Sequence, residues 1–186
     1  MRNLKLQIQM TIDGFIAGPN GEMDWTVSDW DDGLKKYVGE LTEPVDCIIL
    51  GRKLAQGFIP YWTSNPSEEG AEKINSTKKI VFSRTLIRSE WDNTVLAKGD
   101  LEEEITELKK QSGKDIIVYG GAAFVSVLIR MGLIDEYHLF INPVAIGNGM
   151  MIFKDFDYKK GLKLIKATAF DCGIVVINYV PKRNET

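Results

Sequence analysis

The apolar run Ile116-Ile117-Val118-Tyr119 stops at Gly120-Gly121, and an amphipathic pattern begins at once with Ala122-Ala123-Phe124. That order predicts a buried strand, a tight turn and a helix. The first amides of such a helix have no partner within it and lie at the positive end of its dipole. An anion fits there, and paired glycines let it approach the backbone without a Cβ in the way. A plain strand-to-helix turn fits the same residues. The pair is not the G-x-G-x-x-G fingerprint, and no acidic residue follows at the ribose-binding distance, which disfavours a Rossmann dinucleotide domain. The absence of G-x-x-x-x-G-K-[ST] argues against an NTPase.

The arrangement recurs twice. Val45 to Leu50 reads as a buried strand running into Gly51-Arg52-Lys53, which opens a short helical stretch. Lys79 to Ser83 reads as another strand, closed by Ser83-Arg84-Thr85. Two cations, and an arginine beside hydroxyls, suit phosphates, although a solvated basic turn accounts for each alone. Open α/β sheets bind ligands beyond the carboxyl ends of their strands, so three such ends can converge.

Elsewhere, strict alternation of Leu4, Leu6, Ile8, Met10 and Ile12 predicts a first strand over 4–12. Trp30, Leu34, Tyr37 and Leu41 make one stripe of a helix stopped before Pro44. Residues 60–76, rich in Ser, Asn, Glu and Pro, read as a surface loop. Thr94 to Ala97 is a short strand. Asp100 caps a helix with Glu103 in the capping-box position, an inner face of Leu101, Ile105 and Leu108, and a stop at Gly113. The helix after Gly121 presents Phe124, Val127, Leu128 and Met131 and ends at Gly132. Tyr137 to Asn142 is a strand, and 162–170 and 173–180 form a hairpin through Asp171-Cys172-Gly173. The sum is an α/β fold in one domain over 1–186: a mostly parallel central sheet flanked by helices, with antiparallel C-terminal strands.

Composition narrows the function. The 23 basic and 26 acidic residues leave a net charge of −3, no footprint for nucleic acid. No apolar run approaches the roughly 20 residues of a membrane span. The N-terminus alternates like a strand rather than a signal peptide, so the expected location is cytoplasmic. Asn75-Ser76-Thr77 and Asn184-Glu185-Thr186 match the glycosylation pattern but carry no weight without a signal peptide. Cys47 and Cys172 read as free thiols rather than a disulfide. His138, the single histidine, reads as structural, and no metal site assembles from two histidines or a Cys-x-x-Cys pair. Gly147-Asn148-Gly149 reads as a turn, since no helical pattern follows. The loop from Asp13 to Trp30 mixes Asp13, Glu22, Asp24 and Asp29 with Trp25 and Trp30. Carboxylates beside indoles suit stacking of a flat ring and donation of a proton; a solvated acidic loop fits as well.

Taken in order, Ile12-Asp13-Gly14-Phe15-Ile16-Ala17, Met23-Asp24-Trp25, Gly51-Arg52, Phe82-Ser83-Arg84 and Gly120-Gly121 resemble the dihydrofolate reductase-like superfamily. Gly132 to Tyr137 and Asn142-Pro143-Val144-Ala145-Ile146-Gly147-Asn148-Gly149 look like the reductase domain of the bifunctional riboflavin-biosynthesis deaminase–reductase. The resemblance implies NADPH as hydride donor, a homodimer, and a small heterocyclic or ribosylaminopyrimidine-like substrate. It implies that Gly51, Arg52, Lys53 and Leu54 flank the pyrophosphate on one side and Gly120, Gly121, Ala122 and Ala123 on the other. Ser83 and Arg84 would hold the ribose 2′-phosphate, and Ile16, Ala17 and Trp25 would cover the nicotinamide. Asp24 or Asp29 would relay the proton. Two rival readings stay open: a dihydrofolate reductase, and a nucleotide-binding module without chemistry. The chain departs from the bifunctional enzyme in having no H-x-E or P-C-x-x-C of the zinc deaminase half.

Overall fold

Leu4, Leu6, Ile8 and Met10 are all buried on β1 (Leu4–Thr11), which runs through the middle of an eight-stranded sheet. The computed structural model describes residues 1–156 and 158–182; Asn184-Glu185-Thr186 lie outside them. After β1 come α1 (Asp32–Thr42), β2 (Val45–Gly51), α2 (Arg52–Ser64), α3 (Ala71–Ser76), β3 (Lys78–Phe82) and β4 (Thr94–Ala97). Then follow α4 (Leu101–Lys110), β5 (Asp115–Val118), α5 (Ala122–Arg130), β6 (Glu136–Asn142), β7 (Leu162–Ala169) and β8 (Val175–Pro181). The strand order is β4-β3-β2-β5-β1-β6-β8-β7. All pairings from β4 to β6 are parallel, and β8 and β7 add antiparallel at the edge. This is the expected fold class. Six parallel strands therefore deliver their carboxyl ends to one edge.

Hydrophobic burial holds the layers. On one face, Leu6, Ile8, Ile49, Val118 and Leu139 pack with Ile105 of α4 and Leu128 of α5 in one continuous cluster. The other face carries two separate clusters. One joins Ile48, Leu50 and Ile117 to Ala55 and Ile59 of α2; the other joins Phe140 and Val176 to Leu34 and Leu41 of α1.

Several local expectations change. β1 ends at Thr11, and Ile12 is exposed. Residues 60–76 are not one loop: α2 continues to Ser64 with Pro60 inside it, and α3 follows. Buried Ile59 anchors the last turns of α2, and Ala71 and Ile74 anchor α3, so the polar composition marks the solvent faces of helices. Trp30 precedes α1, which starts after the cap Asp31. The buried stripe of α5 is Val125, Leu128 and Ile129; Met131 is exposed. α4 stops at Lys110 rather than Gly113, and the carboxylate reaching back at its start is Glu104's, which accepts from Gly99 N. Among the described residues no helix is long and apolar enough to cross a membrane.

Candidate functional site

The three predicted anion sites meet at the carboxyl edge. A Cβ on Gly51 would lie 2.9 Å from the Cβ of Phe124 at the start of α5. A Cβ on Gly120 would reach Leu54 of α2 at 3.7 Å and Ile8 of β1 at 3.3 Å. Phe82, which precedes Ser83-Arg84, packs its ring 5.4 Å from that of Phe124. Gly120 has φ +145°, a conformation that side chains with a Cβ rarely adopt. Next to it, a Cβ on Gly121 would find its nearest neighbour only at 3.9 Å, so the backbone there borders open space.

Helix starts divide into two kinds. Asp31 caps α1, accepting from Leu34 N at 2.9 Å, and Asp100 caps α4, accepting from Glu102 N at 3.0 Å. By contrast α2, α3 and α5 begin at Gly51, Gly70 and Gly121, and among the described residues no side chain accepts from their first amides; of these, α2 and α5 start at the carboxyl edge. Two positive dipole ends thus stand together with no carboxylate capping either. Arg52 is half-buried, with Nη1 donating to Gln56 Oε1 at 3.3 Å. Lys53 and Arg84 are exposed, and none of these three cations forms an ion pair among the described residues. Buried Ser83 caps its own turn, its Oγ accepting from Thr85 N at 3.2 Å and Leu86 N at 3.0 Å. A cavity of about 390 Å³ opens beyond that turn, lined by Gln56, Thr85, Leu86, Arg88 and Trp91 among others.

The first loop is tied down at both ends. Its entry is held by Asp13, whose carboxylate accepts from Gly147 N at 2.7 Å and Ile146 N at 3.1 Å. A hydrogen bond with Thr11, then those amides, hold that carboxyl below the usual range. Ile16 and Ala17 are buried and bridge to Met150: Ile16 N donates to Met150 O and Met150 N to Ala17 O, both at 2.8 Å. The Gly147-Asn148-Gly149 turn makes this possible, because a Cβ on Gly149 would lie 2.2 Å from Ala17 O. At the exit, fully buried Asn142 accepts from Val27 N at 2.9 Å through Oδ1 and donates from Nδ2 to Gln9 Oε1 at 2.7 Å. Trp25 is half-buried and donates to Glu22 O at 3.3 Å. Asp24 and Asp29 are exposed, and neither carboxylate hydrogen-bonds or pairs among the described residues.

Asp31 and Trp30, in the crowded acidic stretch, are structural. Asp31 Oδ2 accepts from Cys172 N at 2.9 Å, and this bond with that from Leu34 N lowers its pKa. Trp30 stacks on Phe140 and donates to Val27 O. His138 is buried as a structural histidine should be, with Nδ1 2.7 Å from Tyr37 Oη and Nε2 3.3 Å from Glu136 Oε2. The bond with His138 holds Glu136 below the usual carboxylate range, and burial pushes Tyr37 up to about 12. Cys47 and Cys172 are free thiols.

The sequence marks Asp13 only as one carboxylate of the loop and does not single out Asn142. Asp13 and Asn142 act by reaching backbone amides far along the chain, Ile146 and Val27, which no local pattern reveals.

Comparisons with known proteins bear on the fold and family. The chain is 39% identical over 183 residues to the uncharacterized protein YyaP of Bacillus subtilis (strain 168), covering 96% of this chain and 94% of that one. The solved deaminase/5-amino-6-(5-phosphoribosylamino)uracil reductase of Thermotoga maritima superposes with a TM-score of 0.71 at 18% identity, over 97% of this chain and 57% of that one. Dihydrofolate reductase of Enterococcus faecalis, solved with NADP(H), superposes with a TM-score of 0.65 at 15% identity, over 97% of both chains. The fold is thus dihydrofolate reductase-like. The model of the RibD C-terminal domain matches residues 2–176, and the chain belongs to that family.

Proposed function

We propose that this protein is an NADPH-dependent reductase acting on a small heterocyclic, ribosylaminopyrimidine-like substrate. Relatives by family and fold are reductases. The observation that carries the reading is the pair of uncapped helix starts at Gly51 and Gly121, side by side at one sheet edge, with Arg52 and Lys53 there free of ion pairs among the described residues. A diphosphate fits that pair: it supplies the acceptors that the first amides of α2 and α5 lack. In this reading Gly51 to Leu54 and Gly120 to Ala123 hold the pyrophosphate. Ser83 and Arg84 take the ribose 2′-phosphate, and Ile16, Ala17 and Trp25 cover the nicotinamide. Bound NADPH supplies a hydride from its nicotinamide C4. The chain's part is to set that carbon against the acceptor and exclude water. A loop carboxylate, Asp24 or Asp29, relays the proton through water. The protein works as a cytoplasmic homodimer.

Titration with NADPH and NADH, followed by energy transfer from tryptophan to the nicotinamide, tests this. The expected result is tighter binding of NADPH than NADH. Failure of both to bind below millimolar sinks the reading. Bound cofactor with no turnover of either dihydrofolate or a ribosylaminopyrimidine favours a nucleotide-binding module instead.

A further inference from the structure

The chain contains two Asn-Gly pairs, Asn20-Gly21 and Asn148-Gly149, and both asparagines are exposed. Asparagine is a thermolabile residue, most of all before glycine. The amide nitrogen of the following residue closes on the side-chain carbonyl, and a glycine there puts no Cβ in the way. A folded protein permits this where the side-chain amide is free to turn and the glycine N–H is free of a hydrogen bond.

The two pairs differ on both conditions. Asn20 Nδ2 donates to Glu22 Oε1 at 2.7 Å, and Gly21 N donates to Gly18 O at 3.1 Å. Asn148 has neither tie: its side chain forms no hydrogen bond among the described residues, and Gly149 N donates to none of them. Around it the amides of Ile146, Gly147 and Met150 are all engaged.

We infer that Asn148-Gly149 is a self-modification site, where spontaneous deamidation turns Asn148 into isoaspartate and releases the first loop. Water is the one co-reactant, and nothing is oxidised or reduced. Hydroxide takes the proton of Gly149 N, and the nitrogen attacks Asn148 Cγ. The Cγ–Nδ2 bond breaks, and ammonia leaves with a proton from water. Water then opens the cyclic imide. Addition at the main-chain carbonyl carbon breaks the original peptide bond, so the chain runs on through Cγ, one carbon longer, with a free α-carboxylate. Addition at Cγ gives ordinary aspartate.

The extra carbon falls where the fold has little room. A Cβ on Gly149 would lie 2.2 Å from Ala17 O and 3.2 Å from the Phe15 ring. Met150, next along, is hydrogen-bonded to Ile16 and Ala17. The new carboxylate also arrives near Asp13, whose own carboxylate already holds Ile146 N and Gly147 N, and like charges repel. A lengthened turn therefore cannot keep the clamp on Ile16 and Ala17. The loss of cofactor cover that follows rests on the reductase reading; the modification itself does not.

Ageing the full-length protein at mildly alkaline pH and mapping its tryptic peptides by mass spectrometry tests this. Peptide Met131–Lys154 should deamidate about tenfold or more faster than Leu6–Lys35, in which a charge-assisted bond must break first. Electron-transfer fragmentation should place the isoaspartate at position 148, and in denaturant the two rates should converge. Chymotrypsin should cut the isoaspartate form after Phe15 sooner than fresh protein, and its NADPH affinity should fall by about tenfold or more. Asn148→Gln, whose longer side chain disfavours ring closure, should age without either change. Reaction at Asn148 no faster than at Asn20, or an isoaspartate form as resistant at Phe15 as fresh protein, overturns the inference. So does loosening on ageing that persists in Asn148→Gln. Fresh protein that binds no NADPH overturns the reductase reading alone, since the peptide map and the Phe15 cleavage still decide the inference.

Discussion

The Cβ that Gly51 lacks would lie 2.9 Å from the Cβ of Phe124. This contact joins the start of α2 to the start of α5, two elements far apart in the chain, and sets the spacing of their free amides. Gly51→Ala is expected to destabilise the protein by about 1–3 kcal/mol through overpacking, measured by denaturant unfolding. In the Phe124→Ala background the same substitution should cost less, because the atoms it strikes are gone. Additive effects would show that the contact is relaxed in solution.

Arg84 is exposed and makes no ion pair among the described residues. Arg84→Ala should weaken NADPH by roughly 1.5–3 kcal/mol, the range for a charge-assisted contact, and leave NADH unchanged. Parallel titrations of the two cofactors check this, and an equal loss for both would remove the 2′-phosphate role.

Asn142 joins the exit of the first loop to β1. Asn142→Ala strips Val27 N and Gln9 Oε1 of their partner and should cost about 1–3 kcal/mol. Trp25 and Trp30 flank Val27 in sequence, so near-UV circular dichroism should report the loosened loop. An unchanged spectrum would mean that the loop is held by other contacts.

Asp31 links the start of α1 to the β7–β8 turn, and its pKa is lowered from 3.8 mainly by the Cys172 amide. A lowered carboxylate stabilises the fold above its unfolded pKa and loses that effect as pH falls through the folded value. Asp31→Asn should therefore melt lower than wild type at neutral pH, and the two Tm curves should converge as pH falls through the lowered folded-state value. A constant gap at all pH values would assign the effect to shape rather than charge.

Burial raises the Cys47 thiol to about 11, so it is protonated at neutral pH, and its side chain is closed off within the core. Iodoacetamide should label half-buried Cys172 first, and Cys47 only after denaturation, as read by mass spectrometry. Prompt native labelling of both would indicate an opening of the β2–β5 region.

The parallel sheet and its glycine-marked edge were legible because they rest on short-range signals: apolar runs, Gly51, Gly120-Gly121 and the strand ends between. The extent of α2 was not, since Pro60 and the polar residues after it speak for a loop until Ile59 is seen buried beneath them. The buried stripe of α5 was shifted by a residue because Phe124 belongs to the edge, packed on Phe82 and Gly51, rather than to the helix's inner face. Asp13, Asn142 and Gly149 all act through contacts 115 or more residues apart in the chain, the third against Ala17 O. Such contacts exist only once the chain has folded.

The stapling of the first loop has an evolutionary consequence. Ile16 and Ala17 are clamped by the Met150 bridge, and Val27 by Asn142, whereas Pro19 to Asp24 between them are exposed. Only the tip of that span, Pro19-Asn20, is free of those ties, since Glu22 O holds Trp25 and Gly18. A lineage could acquire new surface contacts by rewriting that tip while the proposed cofactor cover stays as it is.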